Sequence, residues 1–428
     1  MKKAILAVLT VVLVSAPLFA GGRSEAPGRA DGRTEVLFYM WEDPTYVQIV
    51  EAFNESQDEI FVRAEVLGSA DYEARLTTLL AGGAEMDAFM QKRQVDIFGH
   101  WANGHIMPLD DLIEQFGYDY DAVSAYDAAL RVDGQIAAIP FRGATYYTYY
   151  VRPAFDAAGV DYPSEYVARG EWTWDTFQEV ARAVSTNDVE GSHLFTWGVK
   201  QAIPALQNQV DFITSDGEID INDSVMYAFR MRRELERAGA MSSLIELKAT
   251  RQHYSDIFFR GDIAMMIIGE WFPGMMMDAR DRGALAYDFS DWGITRMPAF
   301  DPNDYRSIGS PTFNHVHANA RNPEAAFEFI AWMGSAEGAR VVAEAGFLPP
   351  LITPDVEEAL RGAMPDDESF AFFTEGPPVH PPFYNRYGTR VDQLLGEIME
   401  DYILSDWSDE EFMAELRSRL EDIVATTD

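Results

Sequence analysis

Phe259-Arg260-Gly261-Asp262-Ile263-Ala264-Met265-Met266-Ile267-Ile268-Gly269-Glu270-Trp271-Phe272 sets an uninterrupted apolar run between a turn and an abrupt polar end. A turn at Arg260-Gly261-Asp262 precedes six residues without a polar side chain, and the run stops at Gly269-Glu270-Trp271. Six apolar residues between turn signals predict a strand buried on both faces, as in the middle of a parallel sheet. Such a sheet presents its working groups just past the carboxyl ends of its strands, where this chain places a glycine, an acid and a tryptophan. The plainer alternative is a core strand followed by a packed indole.

The N-terminal part supports an α/β arrangement. Residues 35–40 predict a strand, and Asp43-Pro44 reads as the cap and first position of a helix with Tyr46, Ile49, Val50 and Phe53 on one face. A second strand at 60–66, a helix at 72–80 stopped by Gly82-Gly83, and a third strand at 86–90 follow. Strand, helix, strand, helix, strand is the pattern of a parallel α/β unit. Residues 134–140 predict a strand ended by Pro140, and the aromatic run 145–151 predicts a β crossing into a second unit. Thr173 is the expected cap of a long helix, helices dominate to about 250, and 292–298 returns to strand. Asn322-Pro323 opens an Ala-, Phe- and Trp-rich helix broken at Gly346, and 391–424 carries two helical patterns separated at 405–408. Trp101, Trp197, Trp292 and Trp332 sit in apolar patterns and read as core.

A chain of 428 residues exceeds the size at which one core usually keeps growing, so two lobes are expected. An apolar fraction of 47% excludes wholesale disorder. A formal charge of −37 argues against nucleic acid or an anionic membrane as partner, because phosphate binding requires a basic face. Lys2-Lys3, an apolar run over 4–14 and small residues to Ala20 have the form of a secretory signal peptide (1–20), with a flexible leader at 21–34. The expected location is the periplasm. With no cysteine, no disulfide and no lipid anchor are expected, and thiol catalysis is excluded.

Other chemistries find little support. Neither a Gly-x-Ser-x-Gly elbow nor a His-Glu-x-x-His pair occurs. His315 and His317 alternate on one predicted strand, but two histidines without a third ligand do not make a metal site, so no metal and no cofactor is expected. Asp216-Gly217-Glu218 places its glycine wrongly for a calcium loop and reads as a hairpin turn. No spacing among the 70 acids singles out a glycosidase pair. What recurs is aromatic and polar residues at strand ends: Trp41 with Glu42, Gln91 with Lys92, Arg142 with Tyr146, Glu270 with Trp271, and Ser310 with Asn314. Sugars need this mixture, since flat rings cover their apolar faces while carboxylates, amides and guanidinium groups bond their hydroxyls.

The chain resembles the extracellular solute-binding proteins of ABC importers, in the carbohydrate-binding group related to maltose-binding protein. The resemblance rests on the strand ending in Trp41 and on the helix ending in Gly82-Gly83 before Asp87. It includes Gly104-His105-Ile106-Met107-Pro108-Leu109-Asp110, Ala138-Ile139-Pro140-Phe141 and Trp172-Thr173-Trp174. Its most specific part is Phe259-x-Gly261-x-x-Ala264-Met265 with Gly269-x-Trp271, and it closes on Asn322-Pro323-Glu324-Ala325-Ala326 and Leu348-Pro349. It implies an α/β, two-lobed periplasmic binding protein fold, each lobe a mostly parallel sheet flanked by helices, with a central ligand cleft that closes like a hinge. The implied lobes are 35–142 plus 296–346 and 143–295 plus 347–428. The implied function is binding a mono- or oligosaccharide and delivering it to the importer's permease subunits, as a monomer and without chemistry. Trp41, Tyr146 and Trp271 would stack on the ligand, with Glu42, Gln91, Lys92, Arg142, Glu270, Ser310 and Asn314 as polar partners. Lys92, Arg93 and Arg142 leave open another solute, such as a polyol phosphate, an organic anion or a metal chelate. An exported glycoside hydrolase is the alternative of a different class.

Overall fold

The computed structural model describes residues 32–427 except 144, 197, 310, 377–378 and 381–384. The expected signal peptide, most of the leader, Ser310 and Trp197 lie outside the described residues. Among the described residues no helix is long and apolar enough to cross a membrane.

Nine strands build two main sheets. In chain order they are β1 (Thr34–Trp41), β2 (Ile60–Leu67), β3 (Ala88–Gln91), β4 (Ile139–Arg142), β5 (Tyr146–Val151), β6 (Glu190–His193), β7 (Ile263–Gly269), β8 (Trp292–Arg296) and β9 (Thr312–Val316). The first sheet has the order β2-β1-β3-β9-β4 and the second β8-β5-β7-β6. The helices used below are α1 (Pro44–Ser56), α2 (Tyr72–Ala81), α3 (Phe272–Asp281), α4 (Pro323–Met333), α5 (Ala336–Glu344), α6 (Gly388–Leu404) and α7 (Asp409–Ala425).

β7 is the predicted strand, and all seven of its residues are buried. Burying each Ile or Met side chain contributes roughly 1.5–3 kcal/mol, so this strand anchors its sheet. Its neighbours differ from the expectation of a mostly parallel sheet. β7 runs antiparallel to β5 and parallel to β6, and β5 is antiparallel to β8. The first sheet is likewise mixed: β2, β1 and β3 are parallel, while β9 is antiparallel to both β3 and β4. The reason is general, because a strand covered on both faces has the same apolar pattern whatever its neighbours' direction.

Pro140 does not end its strand but lies inside β4, at the edge of the first sheet, where a missing N–H is tolerated. The long helix expected before Gly346 is two helices, α4 and α5, the second capped by Ser335, whose Oγ accepts from Gly338 N at 3.3 Å. Asp43 caps α1 and Thr173 caps the helix Trp174–Val184, both as expected. Thr214 and Glu218 close the predicted hairpin around Gly217, whose φ is +87°.

Each sheet has its own core. One contains Val36, Phe38, Phe89, Ile139, Phe141, Phe313, Phe329 and Phe347. The other contains Tyr149, Phe177, Phe229, Ile267, Trp292, Ile308 and Leu348, together with Leu395 of α6 and Leu416 of α7. Val95 in the turn after β3 and Ala339 and Ala343 on α5 reach the second core from segments whose neighbours lie in the first, and the chain itself changes core between Phe141 and Tyr146, Ile308 and Phe313, and Phe347 and Leu348. The chain therefore passes between the cores at these points. Trp292 is fully buried as expected, whereas Trp101 and Trp332 are only half-buried.

Candidate functional site

The three passages meet at one buried cluster. Arg142 ends β4 of the first sheet, and Glu270 follows β7 of the second. Arg142 Nε donates to Glu270 Oε1 at 3.0 Å, and the two residues are 6% and 1% exposed. The other carboxylate oxygen accepts from Leu348 N at 3.2 Å, and Leu348 O accepts from Gly143 N at 2.6 Å. Arg142 also donates to the Tyr46 hydroxyl, and its guanidinium carbon lies 4.6 Å from the Phe347 ring centroid and 5.6 Å from that of Trp271. Burial pushes the Glu270 carboxyl up, and Arg142 opposes that shift. One ion pair thus ties the passages at 142–143 and 347–348 to the end of β7.

Trp271 sits beside this pair and packs against both cores. Its indole folds back over Gly269, where a Cβ would overlap the ring. That is the physical content of the Gly-x-Trp pattern. The indole Nε1 donates to the Tyr254 hydroxyl at 2.9 Å, and Tyr146 meets the ring edge-on at 5.9 Å. Burial pushes the Tyr254 hydroxyl up to about 12, against the hydrogen bond from Trp271. His253 lies against the Tyr254 ring at 4.2 Å.

The first sheet contributes the ends of β1 and β3. Trp41 is 8% exposed, edge-on to Tyr46 at 4.9 Å and to Tyr72 at 5.5 Å. Lys92 Nζ lies 5.7 Å from its ring centroid and donates to Ser69 O at 2.5 Å and Ser69 Oγ at 2.7 Å. Burial lowers the Lys92 ammonium, with Glu73 and Asp43 acting the other way. Glu73 Oε1 accepts from Arg93 N at 2.5 Å, while its Oε2 is buried without a partner. Burial and the neighbouring Asp96 push its carboxyl up to about 8.

The ten residues singled out from sequence are thus unequally placed. Arg142, Tyr146, Glu270 and Trp271 form one cluster, and Trp41 and Lys92 adjoin it through Tyr46. Glu42 is exposed just past β1. Gln91 and Asn314 are fully buried, each with an unpartnered side-chain oxygen. Gln91 Nε2 donates to Arg93 O at 2.7 Å, and Asn314 Nδ2 faces Met333 Sδ at 3.4 Å. Ser310 lies outside the described residues. Tyr46, Tyr254, His253, Glu73 and Phe347 were missed. Only His253-Tyr254, a cap pair five residues before Phe259, carries a local signal. His315 packs against Phe89 at 4.9 Å, and its Nδ1 donates to Ala137 O at 2.7 Å, because a carbonyl only accepts. Among the described residues no group of three or more His, Cys, Asp or Glu could hold a metal ion.

Comparison with known proteins agrees with this architecture. Among curated proteins none matches the sequence. A sugar transporter from Rhizobium etli in an open conformation superposes with a TM-score of 0.72 at 24% identity, covering 91% of this chain and 99% of its own. An ABC substrate-binding protein from Listeria monocytogenes in complex with cycloalternan gives a TM-score of 0.78 at 21% identity, covering 92% and 99%. A protein from Mycobacterium tuberculosis in complex with glycerophosphocholine gives 0.73 at 16%, covering 92% and 98%. This chain has the two-lobed α/β fold of these proteins. Residues 41–340 match the bacterial extracellular solute-binding proteins, and the chain belongs to that family.

Proposed function

We propose that this protein is the substrate-binding component of an ABC importer, that it takes a mono- or oligosaccharide between its two lobes, and that it delivers the sugar to the membrane permease. Family membership over residues 41–340 supports solute binding, and the half-buried Trp271 between the cores is the observation that carries the carbohydrate reading. An indole flanked by Tyr254, Tyr146 and ionisable groups suits a ligand with apolar faces and a rim of hydroxyls. The Rhizobium and Listeria relatives, a sugar transporter and a cycloalternan complex, support the same ligand class.

The proposed contacts are Trp271 for stacking, with Lys92, Glu42 and Ser310 as polar partners; Tyr146, Gln91 and Asn314 are proposed with them but are buried, and would reach a ligand only once uncovered. Trp41 is covered by Tyr46, Tyr72 and Lys92, and would stack only after Lys92 moves. Arg142 and Glu270 bond each other, so their proposed role is to fix the hinge beside the ligand. The proposed lobes are 35–142 plus 296–346 and 143–295 plus 347–428. Burial of Met297 and Ile308 in the second core supports moving the return passage to between Ile308 and Thr312. Export through the signal peptide to the periplasm, a monomeric state and the absence of catalysis complete the proposal.

Another solute is the second reading. It is favoured by Lys92 and Arg93 at the end of β3 and by the glycerophosphocholine-bound relative. Thermal-shift screening against oligosaccharides and glycerophosphodiesters separates the two, because a ligand that binds only the folded state raises the melting temperature. Hydrolysis of a bound oligosaccharide would refute the binding-protein reading.

A further inference from the structure

Besides the passages of the main chain, a second set of contacts joins the two lobes. The turn after β3 leaves the first core and inserts Val95 into the second, while Ile97, two residues on, is back in the first. The turn faces the start of α6, whose residues belong to the second core. The Thr389 hydroxyl donates to Asp96 Oδ1 at 2.9 Å and lies 3.3 Å from Val95 O. Arg93 Nη1 lies 3.9 Å from Asp392 Oδ2.

The turn is held in place from its own lobe. Glu73 accepts from Arg93 N at 2.5 Å, and Gln91 donates to Arg93 O at 2.7 Å, so both backbone groups of Arg93 are clamped. Its guanidinium is bidentate on Asp96, with both distances 2.8 Å. That pairing fixes the carboxylate that Thr389 reaches. On the other lobe Asp392 packs against Gly198, where a Cβ would overlap the carboxylate. Each half is therefore preorganised before the two meet.

We propose that residues 93–96 and the first turns of α6 form a latch that holds the lobes together without ligand, sharing no residue with the Arg142–Glu270 hinge. The inference rests on the reading that the lobes open and close. Opening them would expose Val95 and leave the Asp96 carboxylate without its second donor. Arg93 and Thr389 are positioning residues for closure, and the ligand shifts an equilibrium that the latch already biases. The Thr389–Asp96 bond is the stronger half, since the Arg93 and Asp392 side chains are 41% and 17% exposed and their separation is long.

The test uses ligand-free protein. Small-angle scattering of wild type, Thr389→Val, Thr389→Ser and the double variant Arg93→Met/Thr389→Val reads the closed fraction, with thermal unfolding as control for the fold. Loss of a hydrogen bond to a charged group shifts the open-to-closed ratio about tenfold. Thr389→Val is expected to be larger than wild type while still unfolding in one cooperative transition, the double variant at least as large, and Thr389→Ser to restore the compact form. A wild type already as large as the double variant, or a Thr389→Val profile that overlays wild type, overturns the latch. Because no ligand enters these measurements, failure to bind carbohydrate leaves their outcome unaffected.

Discussion

Arg142 and Glu270 stand 128 residues apart in the chain and meet as a buried ion pair at 3.0 Å, one at the end of a strand in each sheet. Removing one partner leaves the other charge buried and uncompensated, which costs about 3–5 kcal/mol. Glu270→Ala and Arg142→Ala are each expected to lose about that much in urea unfolding. The double variant should lose less than the sum, because neither charge is then stranded. Additive losses would show that the pair does not act as a unit.

Gly269 lies directly under the Trp271 indole. A Cβ at this position overlaps the Trp271 indole, so Gly269→Ala must move the ring or the strand. Overpacking of this kind costs typically about 1–3 kcal/mol. The expected readout is a red-shifted tryptophan emission together with a lower unfolding midpoint. Unchanged emission would mean that the indole does not lie over Gly269.

How far these features were legible differs from one to the next. β7 was readable because six apolar residues between turns leave few alternatives, and Gly269-x-Trp271 was readable as a pattern. Strand direction was not, since Tyr146-Tyr147-Thr148-Tyr149-Tyr150-Val151 is buried on both faces and gives no sign that it runs antiparallel to β7. Arg142 and Glu270 were each picked out as polar residues at strand ends. Their bond to one another depends on how two sheets are joined, and no local pattern encodes a contact across 128 residues. The Thr389–Asp96 contact, 293 residues apart, was invisible for the same reason. Pro140 misled because a proline ends a central strand but not an edge strand, and the edge is a property of the whole sheet.

Glu73 gives the protein a pH dependence of definite sign. Its carboxyl is raised from 4.5 to about 8 in the folded state, by burial first and by Asp96 second. Between those two values the folded state binds the proton more tightly than the unfolded chain, so the contribution is full below about pH 4.5 and is lost as pH rises through 8. Glu73→Gln, which stays neutral, should gain stability relative to wild type between pH 5 and pH 8. Chemical unfolding at both pH values checks this. Parallel pH profiles for the two proteins would place the Glu73 carboxylate in water.

If Trp271 faces a carbohydrate held between the lobes, titration calorimetry with an oligosaccharide panel on wild type and Trp271→Ala will show it. The expected result is saturable one-to-one binding of a carbohydrate that is recovered intact, weakened in the variant by about 2 kcal/mol, the size of an aromatic anchor's contribution. Binding of a glycerophosphodiester with no carbohydrate bound, or equal carbohydrate affinity in wild type and Trp271→Ala, would contradict it.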